Sequence, residues 1–286
     1  MPSVTQLIKE VSDKKGVPQY IVEKDYAISF LLSAMHQTPG FTENLVLKGG
    51  TALRKLYFPG YRFSEDLDYS TIRLGQIEDC DRLMNEAVRI MLSMLDERGP
   101  FEASVQPYVL RQPHPGEQKA YIIRIKFPAH QTPLCRLKVE ITVDEPIINT
   151  PNRLPILHEF TDVFTGSIPV YALFEITAEK LRALLQSKAK LKAKGWGATR
   201  VVRDYYDLWN LLQRPGIIGS ELTTLFNKKC VTRNVALHTP EDLVSDDLIK
   251  IAETEWDKQL LPFVPDVPSS KDVLEQTKGL ILSIWQ

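Results

Sequence analysis

The chain has 286 residues, 43% hydrophobic and 25% charged, with a formal net charge of −1. These values suit a soluble globular protein of one large or two small domains. They leave no global argument for a nucleic-acid or membrane surface, so any such argument must come from local patches. The three cysteines, Cys80, Cys135 and Cys230, are scattered and odd in number. They read as reduced core or boundary residues. The five histidines are equally scattered, and neither HExxH nor paired CxxC spacing occurs, which speaks against a zinc site. No apolar run approaches the roughly 20 residues of a membrane span. The first segment, MPSVTQLIKEVSDKKG, has an amphipathic helical pattern rather than that of a signal peptide. A cytoplasmic location with no membrane partner is therefore expected.

In chain order, residues 3–38 read as helices. Val4, Leu7, Ile8 and Val11 recur at helical spacing, and Gly16-Val17-Pro18 interrupts the run. A second helix spans about Ile21 to His36, with Ile21, Tyr26, Ile28, Phe30, Leu31 and Leu32 as its expected core. A short apolar strand, Leu45-Val46-Leu47, runs into Gly49-Gly50-Thr51. A helical stretch follows, then an Arg62-Phe63-Ser64 turn, then a strand opening on Asp66-Leu67-Asp68-Tyr69. Residues 76–98 read as one long helix ended by Gly99-Pro100.

The period then changes to two, predicting strands over 101–111, 119–127 and 134–143. In the last of these Leu137, Val139, Ile141 and Val143 alternate with Lys138, Glu140, Thr142 and Asp144. A proline-rich connector follows, with Pro146, Pro151 and Pro155. Helical patterns return over 172–192, 199–213, 218–229, 240–258 and 270–285, the last with a capped start at Ser270. The Lys188–Gly197 stretch, KAKLKAKGWG, reads as a flexible loop. The fold class is therefore α+β, a mixed first domain over residues 1–165 and an all-helical second domain over 166–286.

The chemistry concentrates between Leu47 and Asp68. Adjacent glycines allow close backbone approach to a phosphate. Asp66 and Asp68, two apart on a strand, share a face and can hold one or two divalent cations against a triphosphate. A DxD tripeptide alone is common, and a solvated strand end explains it equally well. Glu140 is the third carboxylate candidate, on the polar face of a half-buried strand; it either pairs with a base or completes a metal site. Arg54, Lys55 and Arg62 lie close enough in sequence to add phosphate contacts.

Farther along, Lys180 lies in an apolar helix and could neutralise triphosphate charge as a point cation, or snorkel at the surface. Arg200, Arg203 and Asp204 either brace that helix or line a nucleotide pocket. Arg203 and Asp207, four apart, could pair. Lys188, Lys190, Lys192, Lys194, Arg200 and Arg203, with Trp196 and Tyr205 among them, suit a single-stranded RNA end or a solvated loop.

Together these segments resemble a known family. Gly49-Gly50-Thr51-Ala52-Leu53, Tyr57 and Arg62-Phe63-Ser64-Glu65-Asp66-Leu67-Asp68 are similar to the AbiEii/AbiGii toxin family, within the nucleotidyltransferase superfamily that includes polymerase-beta-like enzymes. Glu23-Lys24-Asp25-Tyr26 resembles the family's N-terminal helix, and Lys138-Val139-Glu140-Ile141 its third acidic strand. Glu179-Lys180-Leu181-Arg182-Ala183-Leu184, Arg200 and Arg203-Asp204-Tyr205-Tyr206-Asp207-Leu208 resemble its helical signature. The resemblance covers about residues 20–215. The gap from Gly50 to Asp66 exceeds that of the wider superfamily and fits this family.

The resemblance implies a nucleotidyltransferase-fold sheet flanked by helices. It also implies transfer of a nucleotide from an NTP to an acceptor, with the tRNA 3′ end or another RNA expected. Asp66, Asp68 and Glu140 would then bind Mg²⁺ or Mn²⁺, and Gly49, Gly50, Thr51, Ser64, Lys180, Arg200 and Arg203 the nucleotide. Lys180 and Asp204 would form a distal catalytic pair. The chain would be the toxin of a toxin–antitoxin or abortive-infection system with a cognate antitoxin protein. Two other readings stay open: kinase-like or self-modifying phosphoryl transfer, and a catalytically silent RNA- or protein-binding module.

Overall fold

The computed structural model describes residues 3–74, 79–109, 117–160 and 166–286. The chain divides into two compact units, Met1–Tyr171 and Ala172–Gln286.

The first unit is built on a seven-stranded mixed sheet. Its strands are β1 (Leu45–Lys48), β2 (Asp66–Thr71), β3 (Glu102–Pro107), β4 (Gln118–Lys126), β5 (Cys135–Thr142), β6 (Asn152–Pro155) and β7 (Ser167–Val170). Their order is β3-β4-β5-β2-β1-β7-β6. The β2–β5 and β1–β7 pairs are parallel, and the others antiparallel. The period-two segments thus form β3, β4 and β5 as expected. The proline-rich connector corrects the reading, since it contributes β6. Pro155 ends that edge strand, where a missing N–H costs little.

Helices cover this sheet. The first, α1 (Val4–Lys15), starts at a Ser3/Gln6 capping box and stops at Gly16, whose φ is 62°. Next, α2 (Gln19–Gln37) buries all six residues expected of its core. It packs against α1, β5 and α4 (Cys80–Leu95). Residues 76–78 of the expected long helix lie outside the described residues, and so do 110 and 111 of the expected 101–111 strand. The turn after β1 is a short helix, α3 (Gly49–Ala52), which widens into a π-helical turn over Leu53–Tyr57. All three cysteines are buried and free.

Strand alternation sets the two faces of the sheet. Leu67 and Tyr69 are buried, and Tyr69 lines a small cavity together with Leu32 and Met35 of α2. Asp66 and Asp68 therefore face the other way.

The second unit is all helical: α5 (Leu173–Lys194), α6 (Val201–Leu212), α7 (Ser220–Thr232), α8 (Asp246–Leu260) and α9 (Ser270–Ser283). Its core includes Leu181, Leu184, Tyr205, Leu208, Phe226 and Trp256. The stretch read as a loop over Lys188–Gly197 is helical through Lys194. Gly195, at φ 74°, ends it. The cap of α9 is Ser269 rather than Ser270. Among the described residues, no helix is long and apolar enough to cross a membrane.

Candidate active site

The strand register brings the sequence-predicted carboxylates together. Parallel pairing sets Asp66 beside Lys138 and Asp68 beside Glu140, and antiparallel pairing sets Lys48 beside Asp68 on its other side. Residues paired across strands share a face. The face therefore carries one row of Lys48, Asp68 and Glu140 and a second row of Asp66 and Lys138. Lys138 Nζ lies 2.8 Å from Glu140 Oε1 and 5.3 Å from the Tyr108 ring centre. Lys48 Nζ lies 3.9 Å from Glu145 Oε2 and 5.6 Å from the Tyr171 ring centre. Lys48 was not singled out in the sequence; only the β1–β2 register reveals it.

The glycine turn closes on this row. Gly49 sits at φ +76°, and a Cβ there would stand 2.8 Å from Asp68 Oδ2. The Asp68 carboxylate thus rests on the bare α-carbon of Gly49. A Cβ on Gly50 would stand 2.7 Å from Arg62 Nη2 and 3.2 Å from Ser64 Oγ. Thr51, expected among the nucleotide contacts, is buried, and its hydroxyl donates to the Asp66 carbonyl. It ties the turn to the head of β2. Gly49→Ala is therefore expected to cost about 1–2 kcal/mol of stability through the left-handed backbone, and to displace Asp68. Urea unfolding checks the first effect and a transfer assay the second.

Arg54 and Lys55 do not join this face as expected. Both are buried and turned toward α2. Arg54 Nε and Nη2 lie 2.6 and 3.3 Å from the two Asp25 oxygens, and Lys55 Nζ lies 2.7 Å from Asp25 Oδ2 and 2.9 Å from Ser29 Oγ. Arg54 Nη1 also donates to the Tyr61 carbonyl, and its guanidinium lies 3.5 Å from the Phe63 ring centre. Burial pushes the Asp25 carboxyl up, but Lys55 and Arg54 outweigh it and hold the group below its ordinary range. Burial pushes the Lys55 ammonium down to about 8, against the pull of Asp25.

The all-oxygen donor set suits a hard cation. Magnesium is commonly held by one or two carboxylates, with substrate phosphates and water completing its shell. Asp66 and Asp68, co-facial and with Asp68 uncrowded by a Gly49 side chain, fit that pattern. Among the described residues, no three His, Cys, Asp or Glu side chains are gathered as a metal cluster. Glu140 is paired with Lys138, so its entry into a metal site requires release of that bond.

In the second unit, Lys180 Nζ lies 3.0 Å from Asp204 Oδ1 and 2.6 Å from Asp207 Oδ2. The Lys180–Asp204 pair was expected; Asp207, fully buried, was read only as a partner of Arg203. Arg203 stacks 5.2 Å from the Phe263 ring centre, and Arg200 is exposed beside the start of α6. Tyr205 is buried with its hydroxyl on the Leu243 carbonyl, so it offers no stacking surface. Trp196 is 66% exposed, with Lys190 Nζ 5.9 Å from its ring centre.

At the basic end of α5, Lys188 bonds Asp242 at 2.6 Å. That bond, helped by the His238 and Thr239 amides, outweighs partial burial and holds the Asp242 carboxyl down to about 2. A carboxylate pKa lowered on folding adds stability above the unfolded value, and the gain is lost as pH falls through the folded value. Lys188 is 37% and Asp242 18% exposed, so the pair still meets water and screening limits the effect to at most about 1 kcal/mol. Urea unfolding of wild type and Asp242→Asn should differ by that amount at pH 6, with the gap shrinking as pH falls toward 3.

The mixed sheet flanked by helices is that of a nucleotidyltransferase toxin fold. The chain matches the structure of MenT4, a nucleotidyltransferase toxin from Mycobacterium tuberculosis H37Rv, with a TM-score of 0.67 at 21% identity, covering 100% of this chain and 90% of that one. The family model described as nucleotidyl transferase AbiEii toxin, type IV TA system, matches residues 31–276. The chain belongs to this AbiEii nucleotidyltransferase toxin family. The match runs well past residue 215, where the sequence resemblance ended, and so takes in α7, α8 and part of α9. No curated protein matches the chain.

Proposed function

We propose that this protein transfers a nucleotide from an NTP to an RNA acceptor, the tRNA 3′ end, as the toxin of its toxin–antitoxin pair. The observation that carries the reading is the register of β2 with its neighbours, which sets Asp68 between Lys48 and Glu140. In this reading the backbone of Gly49 and Gly50 and the Ser64 hydroxyl receive the triphosphate. Asp66 and Asp68 hold Mg²⁺ or Mn²⁺, and Glu140 serves the acceptor side once Lys138 releases it. When bound, the cation neutralises charge on the transferring phosphate and the leaving pyrophosphate. The acceptor hydroxyl attacks the α-phosphorus as the bond to pyrophosphate breaks. The chain contributes positioning and charge placement rather than covalent chemistry.

The test is mass analysis of total tRNA after incubation with the protein, Mg²⁺ and each NTP separately. Added mass of whole nucleotide residues is the expected result. Unchanged tRNA with all four NTPs contradicts the proposal. Release of a nucleoside diphosphate instead of pyrophosphate would favour phosphoryl transfer to a hydroxyl, for which Ser64, beside Gly50, is the nearest candidate.

A further inference from the structure

The Glu23-Lys24-Asp25-Tyr26 segment lies on α2, away from the carboxylate row, and the proposed chemistry assigns it no role. We propose that Lys24 and Asp25 are positioning residues that fix the Tyr61–Glu65 segment against the Gly49-Gly50 turn. That segment lies between the π-helical turn and β2 and belongs to neither helix nor strand. It lacks a hydrogen-bond ladder to set its path, yet Arg62 Nη2 and Ser64 Oγ must lie against Gly50.

Two tethers from α2 set that path. At the far end, Lys24 forms an ion pair with Glu65. At the near end, the Asp25 carboxylate holds the Arg54 guanidinium by both oxygens. Arg54 in turn donates to the Tyr61 carbonyl and covers the Phe63 ring. Lys55 and Ser29 complete the Asp25 shell. Asp25 thus acts on the loop through Arg54. A buried pair of this kind is weak evidence for net stability, whereas fixing one register is its best-attested use. A planar two-pronged guanidinium suits that task better than an ammonium.

The outer tether gives the cleaner test. Lys24 and Glu65 are 21% and 24% exposed, so the pair is largely shielded from water, and a single charge reversal sets two like charges against each other. Lys24→Glu and Glu65→Lys are each expected to raise amide hydrogen exchange across residues 61–65. Each should also lower kcat/KM for the NTP about 10- to 100-fold, as misplacement near 1 Å does, while the β1 and β2 amides keep their protection. The double swap, Lys24→Glu with Glu65→Lys, should restore both. Single variants with wild-type exchange and activity, or a swap that rescues neither, would overturn the outer tether.

For the inner tether, Arg54→Lys keeps the charge beside Asp25 and removes the fork. It should raise exchange at 61–64 while β1 and β2 amides keep their protection. Equal loosening of β1 and β2 would reduce Asp25 to a stability role and overturn this half. The activity readout rests on the proposed transferase function; the exchange readout does not. Wild-type protein that transfers nothing would sink that function while leaving the tethers decided by exchange alone.

Discussion

Asp68→Asn is expected to lower nucleotide transfer by about 10³-fold or more while leaving the fold intact. The substitution keeps size and shape but removes one of two negative charges on the β2 face. Carboxylates that hold a catalytic cation, and the charge stabilisation it brings, are worth several kcal/mol in the transition state. Asp68 is flanked by Lys48 and Glu140 in register and rests on the α-carbon of Gly49. Attraction to Lys48 and repulsion from Glu140 offset each other, so the unfolding free energy should move by less than about 1 kcal/mol. Initial rates for wild type and variant, with circular dichroism as the folding control, check both halves. Retention of more than a tenth of wild-type activity would remove Asp68 from the proposed site.

The largest stability effect is expected at Lys229→Ala. Lys229 is fully buried on α7, with its ammonium 2.7 Å from Glu175 and 3.1 Å from Glu179 of α5. Glu175 is itself fully buried. Truncating the lysine takes from that carboxylate the ammonium 2.7 Å away, in a medium that penalises bare charge. Breaking one side of a buried pair typically costs about 3–5 kcal/mol. Urea unfolding followed by tryptophan fluorescence measures the loss, with Trp256 buried in the same unit as reporter. A cost below about 1 kcal/mol would contradict the role assigned to the Lys229 ammonium. The methionine variant should lose less than the alanine variant, because it refills the volume.

Much of this molecule was readable from periodicity and punctuation. The alternation over Leu137–Val143 gave β5 because one of its faces is buried and the other is not. Gly16 marked a helix end because only a left-handed residue closes a helix there cheaply. Two short strands went unread. β6 and β7 have four residues each, with Pro155 and Pro169 among them, too short for a period to declare itself. The lysines of 188–194 suggested a loop by charge alone. Lysine is nonetheless a good helix former, and positive charge is favoured in a last turn.

For the site, residue types were legible and pairings were not. Asp66, Asp68 and Glu140 stand out as carboxylates on strands. That Asp68 rather than Asp66 faces Glu140, and that Lys48 stands on its other side, depends on register, which a single strand does not specify. Arg54 and Lys55 misled for the same reason. Their proximity to the glycines suggested phosphate, while their partner Asp25 lies about thirty residues earlier on α2. The bond from Lys180 to Asp207, between two helices, was not read from the sequence either.

The most direct test of the proposed chemistry is transfer of α-labelled nucleotide to tRNA, run with each NTP in turn and with pyrophosphate measured in the same tube. Wild-type protein should label the RNA with at least one NTP and release one pyrophosphate per nucleotide added, and Asp68→Asn should do neither. Wild-type protein that labels no RNA with any NTP, or an Asp68→Asn variant that labels it as well as wild type, would contradict it.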